Sequence, residues 1–389
     1  MKAAIIGGGI GGLTTAIGLS QAGIDFELFE AAPELKPVGA GIVMASNAMT
    51  VFRHLGMNEK VAAAGREIAE ARIVDESSRL ISNLNVKAVI TPRYGVGSYA
   101  IHRGRLQQVL LSEIDNAKIR TGKRLTGLVQ DGNKPVCSFE DGTDFEADIV
   151  IGADGIRSAV RRSIFGDCHL RYSGQTCWRG MAHHTLPEAI AYNSVEMWGN
   201  EKGLRFGFVP TASDEVYYFT TFFTRAGIMD DEGTRKSELL KRYRRFGRIA
   251  VEMIEATRDE NIIRSDIFDL KPIPQWHNGR VVLLGDAAHA TTPNLGQGGC
   301  QAVEDAFVLS RCLNKQGNIS DAFAQYQHLR YRKALSVVNT SWMMGMLTNA
   351  GHPLLRAIRN AACRMIPQSV NIRQLDKILN MDYALKSPD

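Results

Sequence analysis

The chain has 389 residues, enough for two or three domains around a large core. Hydrophobic content of 44%, charged content of 22% and a net charge of +5 describe an ordinary globular protein and do not call for nucleic acid. No apolar stretch is long enough to span a bilayer, and the six cysteines, without a C-x-x-C pair, read as reduced thiols of a cytoplasmic protein.

Residues 1–12 read MKAAIIGGGIGG: a short apolar strand, Lys2–Ile6, followed at once by Gly7-x-Gly9-x-x-Gly12. The run meets a glycine turn with no small-residue cleavage site, so it does not read as a signal peptide. A dinucleotide site needs a tight turn, bare backbone where a pyrophosphate approaches, and a third glycine where helix packs on strand; the phosphates then sit over a helix N-terminus. A second strand over residues 25–30 ends in Glu30, placed to reach ribose hydroxyls. Between them a helix opening near Ile10 stacks Leu13 and Ile17 toward the sheet. Pro33 and Pro37 break the chain before residues 38–43, whose glycines again permit close backbone approach, and Ser46 reads as the N-cap of a helix running to Gly56.

A further helix starts near Arg103 and carries Leu106, Val109, Leu110 and Ile114 on one face. Residues 118–151 read as short strands turning at Asp131-Gly132 and Asp141-Gly142, then returning to the parallel sheet through residues 147–151. From Tyr172 to Phe223 the chain is rich in strand-forming aromatics, including Trp178, Trp198, Phe206, Phe208, Tyr217, Tyr218, Phe219, Phe222 and Phe223. A separate sheet forming one wall of a pocket is expected there. A charged helix follows near residues 235–257, where Arg235, Lys236, Lys241, Arg242, Arg244, Arg245 and Arg248 place seven cations in fourteen residues. These read either as a solvated face or as a patch that draws in a phosphorylated nicotinamide. Residues 280–284 form another buried strand ending in Gly285-Asp286, and helices fill most of the rest from Gly298. The dinucleotide domain is therefore discontinuous, because the chain leaves it and comes back.

Two more motifs carry chemistry. Residues 150–161, VIGADGIRSAVR, are a strand delivering Asp154, Arg157 and Arg161, and residues 281–305 read VVLLGDAAHATTPNLGQGGCQAVED. One glycine turn grips only the ADP end of a dinucleotide. Asp286 at a second strand end can accept from hydroxyls farther along such a cofactor. Gly296, Gln297, Gly298 and Gly299 open a second helix whose N–H groups can stabilise negative charge at its far end.

With three fingerprints in this order, the chain resembles the class A FAD-dependent aromatic-ring monooxygenases of the para-hydroxybenzoate hydroxylase fold, nearest to the urate hydroxylase, salicylate hydroxylase and zeaxanthin epoxidase branches. The resemblance implies an α/β fold: a Rossmann-like FAD-binding domain (residues 1–171 and 272–330) interleaved with a β-sheet substrate domain (172–271), then a C-terminal helical segment (331–389). It implies FAD held by Gly7, Gly9, Gly11, Gly12, Glu30, Ala31, Val43, Arg103, Leu125, Asp154, Asp286, Gly296, Gln297, Gly298, Gly299 and Cys300. Arg103 would approach the pyrophosphate, with Arg105 as a competing candidate. Arg205, Tyr217 and Cys177 would contact the substrate. Trp178-Arg179 departs from the urate-type pattern, which has asparagines around this tryptophan, and leaves the substrate open.

The implied reaction is hydroxylation or epoxidation of a small aromatic or unsaturated compound with NAD(P)H as transient co-substrate and O₂, through a flavin C4a-hydroperoxide. No second GxGxxG domain is present, which fits a nicotinamide that binds only in passing. The expected protein is a monomer or homodimer without nucleic-acid partners or integral membrane association. An FAD-dependent reductase of a prenyl or lipid C=C bond shares the same motifs and stays open, as does a flavin-free binding protein on the same scaffold. His289 reads either as a catalytic group or as a structural one bonded to backbone. No cluster has metal-ligand spacing, and His183 and His184, adjacent in a strand, point to opposite faces and cannot chelate one ion.

Overall fold

The computed structural model describes residues 1–385 apart from 37, 38, 133, 232 and 316; Pro37 and Val38, expected to precede a glycine-rich approach to the ligand, lie outside the described residues. The first sheet has six strands built on Lys2–Ile6. Asp25–Phe29 lies parallel on one side of it and Ile149–Gly152 on the other, so that Ile5 faces both Leu28 and Ile151 across the ladder. Val281–Leu283 joins parallel to Ile149–Gly152, so the chain comes back to this sheet after the second one. These strands are buried on both faces and read as runs of Ala, Val, Ile and Leu, as a covered parallel sheet requires.

The helix Ile10–Gln21 covers one face and packs on Gly298–Lys315. The two approach closely because Gly11 faces Leu284 and Ala302, while Gly18 faces Ser310. The meander is present as a three-stranded antiparallel sheet of Leu125–Val129, Val136–Phe139 and Asp144–Glu146.

The second large sheet has seven strands. Five come from residues 170–270, but Glu70–Asp75 and Leu80–Leu84 add the far edge, with Glu70–Asp75 parallel to Asn193–Trp198. This upstream contribution lies outside the residues 172–271 expected to build the sheet. The short charged strand EARIVD shows no apolar alternation that would reveal it.

The aromatic residues divide by strand alternation. Trp178, Phe206, Phe208 and Tyr218 are buried on the back face against Tyr243, Phe246, Met253 and Ile254. Their side is therefore a core, and only the other side of the sheet is left to form a pocket wall. The front face carries Cys177, Arg179, Arg205, Gly207, Tyr217, Phe219 and Thr221, aligned by the register Cys177↔Thr221↔Arg205 and Arg179↔Phe219↔Gly207.

The cation-rich stretch sits behind that back face as two helices, Arg235–Tyr243 and Arg248–Glu255, separated at Gly247, whose φ of 88° ends the first run. Arg235 pairs with Asp230, Arg242 and Arg245 with Glu201, and Arg248 with Glu252. It is a largely ion-paired outer face, and it lies on the opposite side of the sheet from the front-face residues.

Ser46 is the first residue of the helix Ser46–His54, with Ala45 in the cap position, one residue from the expectation. The 30-residue helix Ile319–Thr348 spans about 45 Å and crosses residue 330, where a segment boundary was expected. It buries Phe323, Tyr326, Ala334, Val337 and Val338 along one side and links the first sheet to the second. Pro353–Met365 and Gln368–Leu379 follow, and Leu379, Met381 and Ala384 return to the first core.

Candidate functional site

Each glycine of the first turn has its own role. Gly7 has φ of 109°, and a Cβ there would overlap the Ala153 carbonyl; a Cβ on Gly12 would overlap the Gly7 carbonyl oxygen. Both must be bare so that helix and turn can press together. Gly9 faces open space, and the first-turn N–H groups of Ile10, Gly11 and Gly12 have no helical acceptor. Gly11 is glycine for packing, since its Cβ would come within 2.8 Å of Leu284. Its side therefore faces the neighbouring helix, and only its backbone can serve a ligand.

Glu30 is oriented by two amides, Gly8 N–H at 2.7 Å and Ala32 N–H at 2.8 Å, with Ala31 half-buried between them and the strand. The carboxylate keeps lone pairs for ribose hydroxyls. The two candidate arginines separate cleanly. Arg105 is tied to Glu215, whereas Arg103 is exposed and lies against Gly39, and its guanidinium makes no hydrogen bond or ion pair among the described residues.

Removal of Arg103 is therefore expected to weaken FAD binding by about 10- to 100-fold, the cost of a charge-assisted hydrogen bond to phosphate. Arg105→Ala should change it less than about threefold. Flavin fluorescence quenching measures both, and equal losses would contradict the assignment.

The second turn repeats the division. Gly296 has φ of 62° and faces open space, and a Cβ on Gly298 would meet only ordinary contacts, the nearest at 3.6 Å. Gly299 packs against Ile42 and Met44. Two calls are corrected at the side-chain level. The Gln297 amide is buried and accepts from Asn47 and Gln301, and the buried Cys300 thiol donates to Val43 O and accepts from Ala45 N–H, each at 3.4 Å. Only their backbone faces the opening, because their side chains bind the turn to the strand Gly41–Met44.

Asp154 is also corrected. Its carboxylate accepts from Ser158 Oγ, Ala159 N–H and Val160 N–H, so it holds the start of the helix Ala159–Phe165. Buried Arg161 then bonds Ile156 O and Ala287 O and ties this loop to the Asp286 turn. Leu125 belongs to the first core with 8% exposure, so its side chain offers a ligand little surface. Val43 is half-buried beside Tyr217.

Asp286 stands exposed in the opening, yet protein walls it closely enough that desolvation raises its carboxyl pKa, opposed by His289, Arg103 and Arg161. The field of Arg103 at Asp286 joins the two turns electrostatically, as the contact of Gly11 with Ala302 joins them in packing.

Behind the second turn lies a buried ionic network. Asp305 receives Gly285 N–H at 2.8 Å and His289 Nε2 at 2.6 Å, while Arg330 bonds Asp305 at 2.6 Å and Glu304 at 2.5 Å. Lys333, Tyr383 and Asn47 complete the shell around Glu304. Burial alone would raise the Asp305 carboxyl, but His289 and Arg330 outweigh it and hold it well below its usual range. His289 thus bonds a carboxylate and not backbone, and it fixes the strand end that presents Asp286.

On the sheet, Arg205 is only 3% exposed. It donates to Thr221 Oγ1, Glu196 Oε1, Gln175 Oε1 and Asn294 Oδ1, the last at 2.8 Å, so four of its five donors are taken. The expected substrate contact is in fact a strut joining the sheet to the turn Pro293–Leu295. Cys177 is buried beneath the same face, its thiol pushed up by desolvation.

Tyr217 is half-buried, and desolvation pushes its hydroxyl up to about 12, so it is a neutral donor. A Cβ on Gly41 would overlap it, which explains the bare residue where the small sheet crosses. The residue overlooked is Arg179. It is partly exposed on the front face, held by Ser265 at 2.6 Å, and close to Tyr217 and Cys177, which help to raise its pKa. Its two-residue offset from Cys177 was the available signal.

Among the described residues, no group of three or more His, Cys, Asp or Glu is placed to hold a metal ion. The second helix start lies beside Asp286, with Gly298 facing its carboxylate and Arg103 acting on its charge, while Glu30 is held at the first turn; together with the free backbone N–H groups these are the donors and acceptors FAD requires along its length.

Comparison with known proteins agrees. A family model described as an FAD binding domain matches residues 1–341. The chain is 42% identical over 362 residues to the aurachin C monooxygenase/isomerase of Stigmatella aurantiaca, covering 93% of both chains. It is 33% identical to the 2-heptyl-3-hydroxy-4(1H)-quinolone synthase of Pseudomonas aeruginosa, covering 95% of both. Klebsiella pneumoniae HpxO, solved with FAD and uric acid, superposes with a TM-score of 0.89 at 28% identity, over 97% of this chain and 96% of that one. The chain therefore belongs to the FAD-binding-domain family and, within it, to the class A flavin monooxygenases.

Proposed function

We propose that the enzyme hydroxylates the ring of a small nitrogen heteroaromatic compound of the quinolone class, with NAD(P)H as the reductant and O₂ as the second substrate. The observation that carries the reading is the front face of the second sheet. There a partly exposed cation, Arg179, stands with Tyr217 and Phe219, and the Arg205–Asn294 bond ties that sheet to the second glycine turn. The heptyl-quinolone relative bears a name of quinolone chemistry, which supports the same ring class, and the aurachin C relative is named a monooxygenase.

FAD, when bound, supplies electron transfer and oxygen activation; the chain supplies orientation and field. N–H groups at the start of Gly298–Lys315 stabilise negative charge on the flavin ring. Arg179 holds a ring oxygen of the substrate, the neutral Tyr217 hydroxyl donates beside it, and Phe219 flanks the ring.

The test is NADH and NADPH oxidation with oxygen uptake, measured against 4-quinolones with and without an alkyl chain, urate and salicylate. Coupled oxygen consumption and a ring-hydroxylated product with a quinolone are expected. Arg179→Met should raise KM by about tenfold or more, the value of a charge-assisted bond, with FAD binding unchanged. Oxygen-independent saturation of a C=C bond would overturn the reading in favour of a reductase.

A further inference from the structure

The helix Pro353–Met365 is built inside out. An ordinary surface helix turns its apolar stripe inward. Here Arg356, Arg359 and Cys363 face the protein: the Arg359 guanidinium lies 4.5 Å over the Trp198 ring, and Arg356 has a buried Nη1 without a partner. The opposite face carries Leu354, Leu355, Ile358 and Met365, between 56% and 81% exposed. Met343 and Met346 at the end of the preceding helix and Ile366 beyond it are exposed as well. At the near end, Lys202 packs against Gly351 and sits 3.5 Å over the exposed Phe223 ring.

Charge over this region has one sign. Between Asp321 and Asp376 the chain contains no acidic residue; of the cations in that interval Arg332, Arg364 and Arg373 are exposed, while Arg330 and Lys333 belong to the buried network around Glu304. Nearby carboxylates are engaged: Glu201 with Arg242 and Arg245, Asp376 with Arg93, and Asp75 with Arg79 and Arg364. No helix among the described residues is long and apolar enough to cross a membrane.

We infer that this face docks the enzyme on a bilayer containing anionic lipid, with the helix Pro353–Met365 lying in the interface plane. Exposed Leu, Ile and Met side chains enter the boundary of headgroup and acyl chain, and the cations meet lipid phosphates. A second copy of the chain is the poorer occupant, because a two-fold contact would set exposed cations against cations while the nearby carboxylates are already paired. The inference is independent of the substrate reading, and its test needs no turnover.

The FAD-loaded enzyme is sedimented with vesicles of phosphatidylcholine alone and of phosphatidylcholine with an equal share of phosphatidylglycerol. Binding to the anionic vesicles and its loss as salt is raised are expected. Changing Leu354, Leu355 and Ile358 together to serine should lower the partition at least about tenfold while FAD content stays unchanged, since all three side chains already face solvent. Lys202→Gln with Arg364→Gln should remove the preference for phosphatidylglycerol. Wild-type protein that stays in the supernatant with both vesicles at low salt would overturn the inference. So would a triple variant that binds like wild type, or a solution dimer that the triple variant converts to monomer.

Discussion

Replacement of Gly12 by alanine is expected to yield a protein that purifies without flavin and resists reconstitution. The added methyl would overlap the Gly7 carbonyl oxygen, which is backbone and cannot swing aside. The start of the helix Ile10–Gln21 must then lift from the turn, and its first-turn N–H groups leave the pyrophosphate seat. Loss of two or more such hydrogen bonds predicts an FAD affinity lowered by about 100-fold or more. Gly9→Ala is the control, since a Cβ there meets nothing within 4 Å of protein. It should fold normally and differ from wild type only through what it presents to the cofactor. Isothermal titration with FAD separates the two variants, and a Gly12→Ala protein with wild-type affinity would contradict the role given to this glycine.

The second large effect is expected at Arg330. This side chain is fully buried and neutralises both Glu304 and Asp305, which are themselves buried. Arg330→Met leaves two carboxylates without their main cation, a loss of about 3–5 kcal/mol by comparison with other broken buried pairs. Denaturant unfolding measures it, and a loss below about 1 kcal/mol would contradict the account.

Its sign with pH is also fixed. Asp305 titrates below its ordinary value in the folded protein. The unfolded state therefore binds more protons in that range, and stability rises with pH. The contribution is complete above about pH 4, the ordinary aspartate value, and is lost as pH falls below it. The Arg330→Met protein should show a shallower loss on acidification, because the depressed pKa depends on Arg330.

How much was legible in the sequence follows from what each signal measures. Gly7 and Gly12 could be placed because the turn leaves no room for a Cβ, Gly9 because the backbone must be bare toward a ligand, Gly296 because of its positive φ, and the parallel strands because they are unbroken apolar runs. Glu30 and Asp286 sit at strand ends, where spacing fixes position, whereas Arg103 was legible only through the family resemblance. What spacing does not encode is the partner of a polar group. Arg205 and Asp154 look available in sequence and are engaged by protein partners in the fold. Arg179 looked like a departure from a pattern and is a partly exposed cation on the front face. Which of the sheet's aromatics are core was not legible, because composition does not say which side of a sheet two helices will cover. The strands Glu70–Asp75 and Leu80–Leu84 escaped because their pairing is long-range and their pattern is mixed.

The most direct test is a crystal structure of the FAD-loaded protein. The account predicts the pyrophosphate within hydrogen-bond reach of the N–H groups of Ile10 to Gly12 and of Arg103, with the flavin ring edge against the backbone of Gly298 and Gly299. A flavin ring bound away from the second glycine turn, or two turns opening on separate cavities, would contradict it.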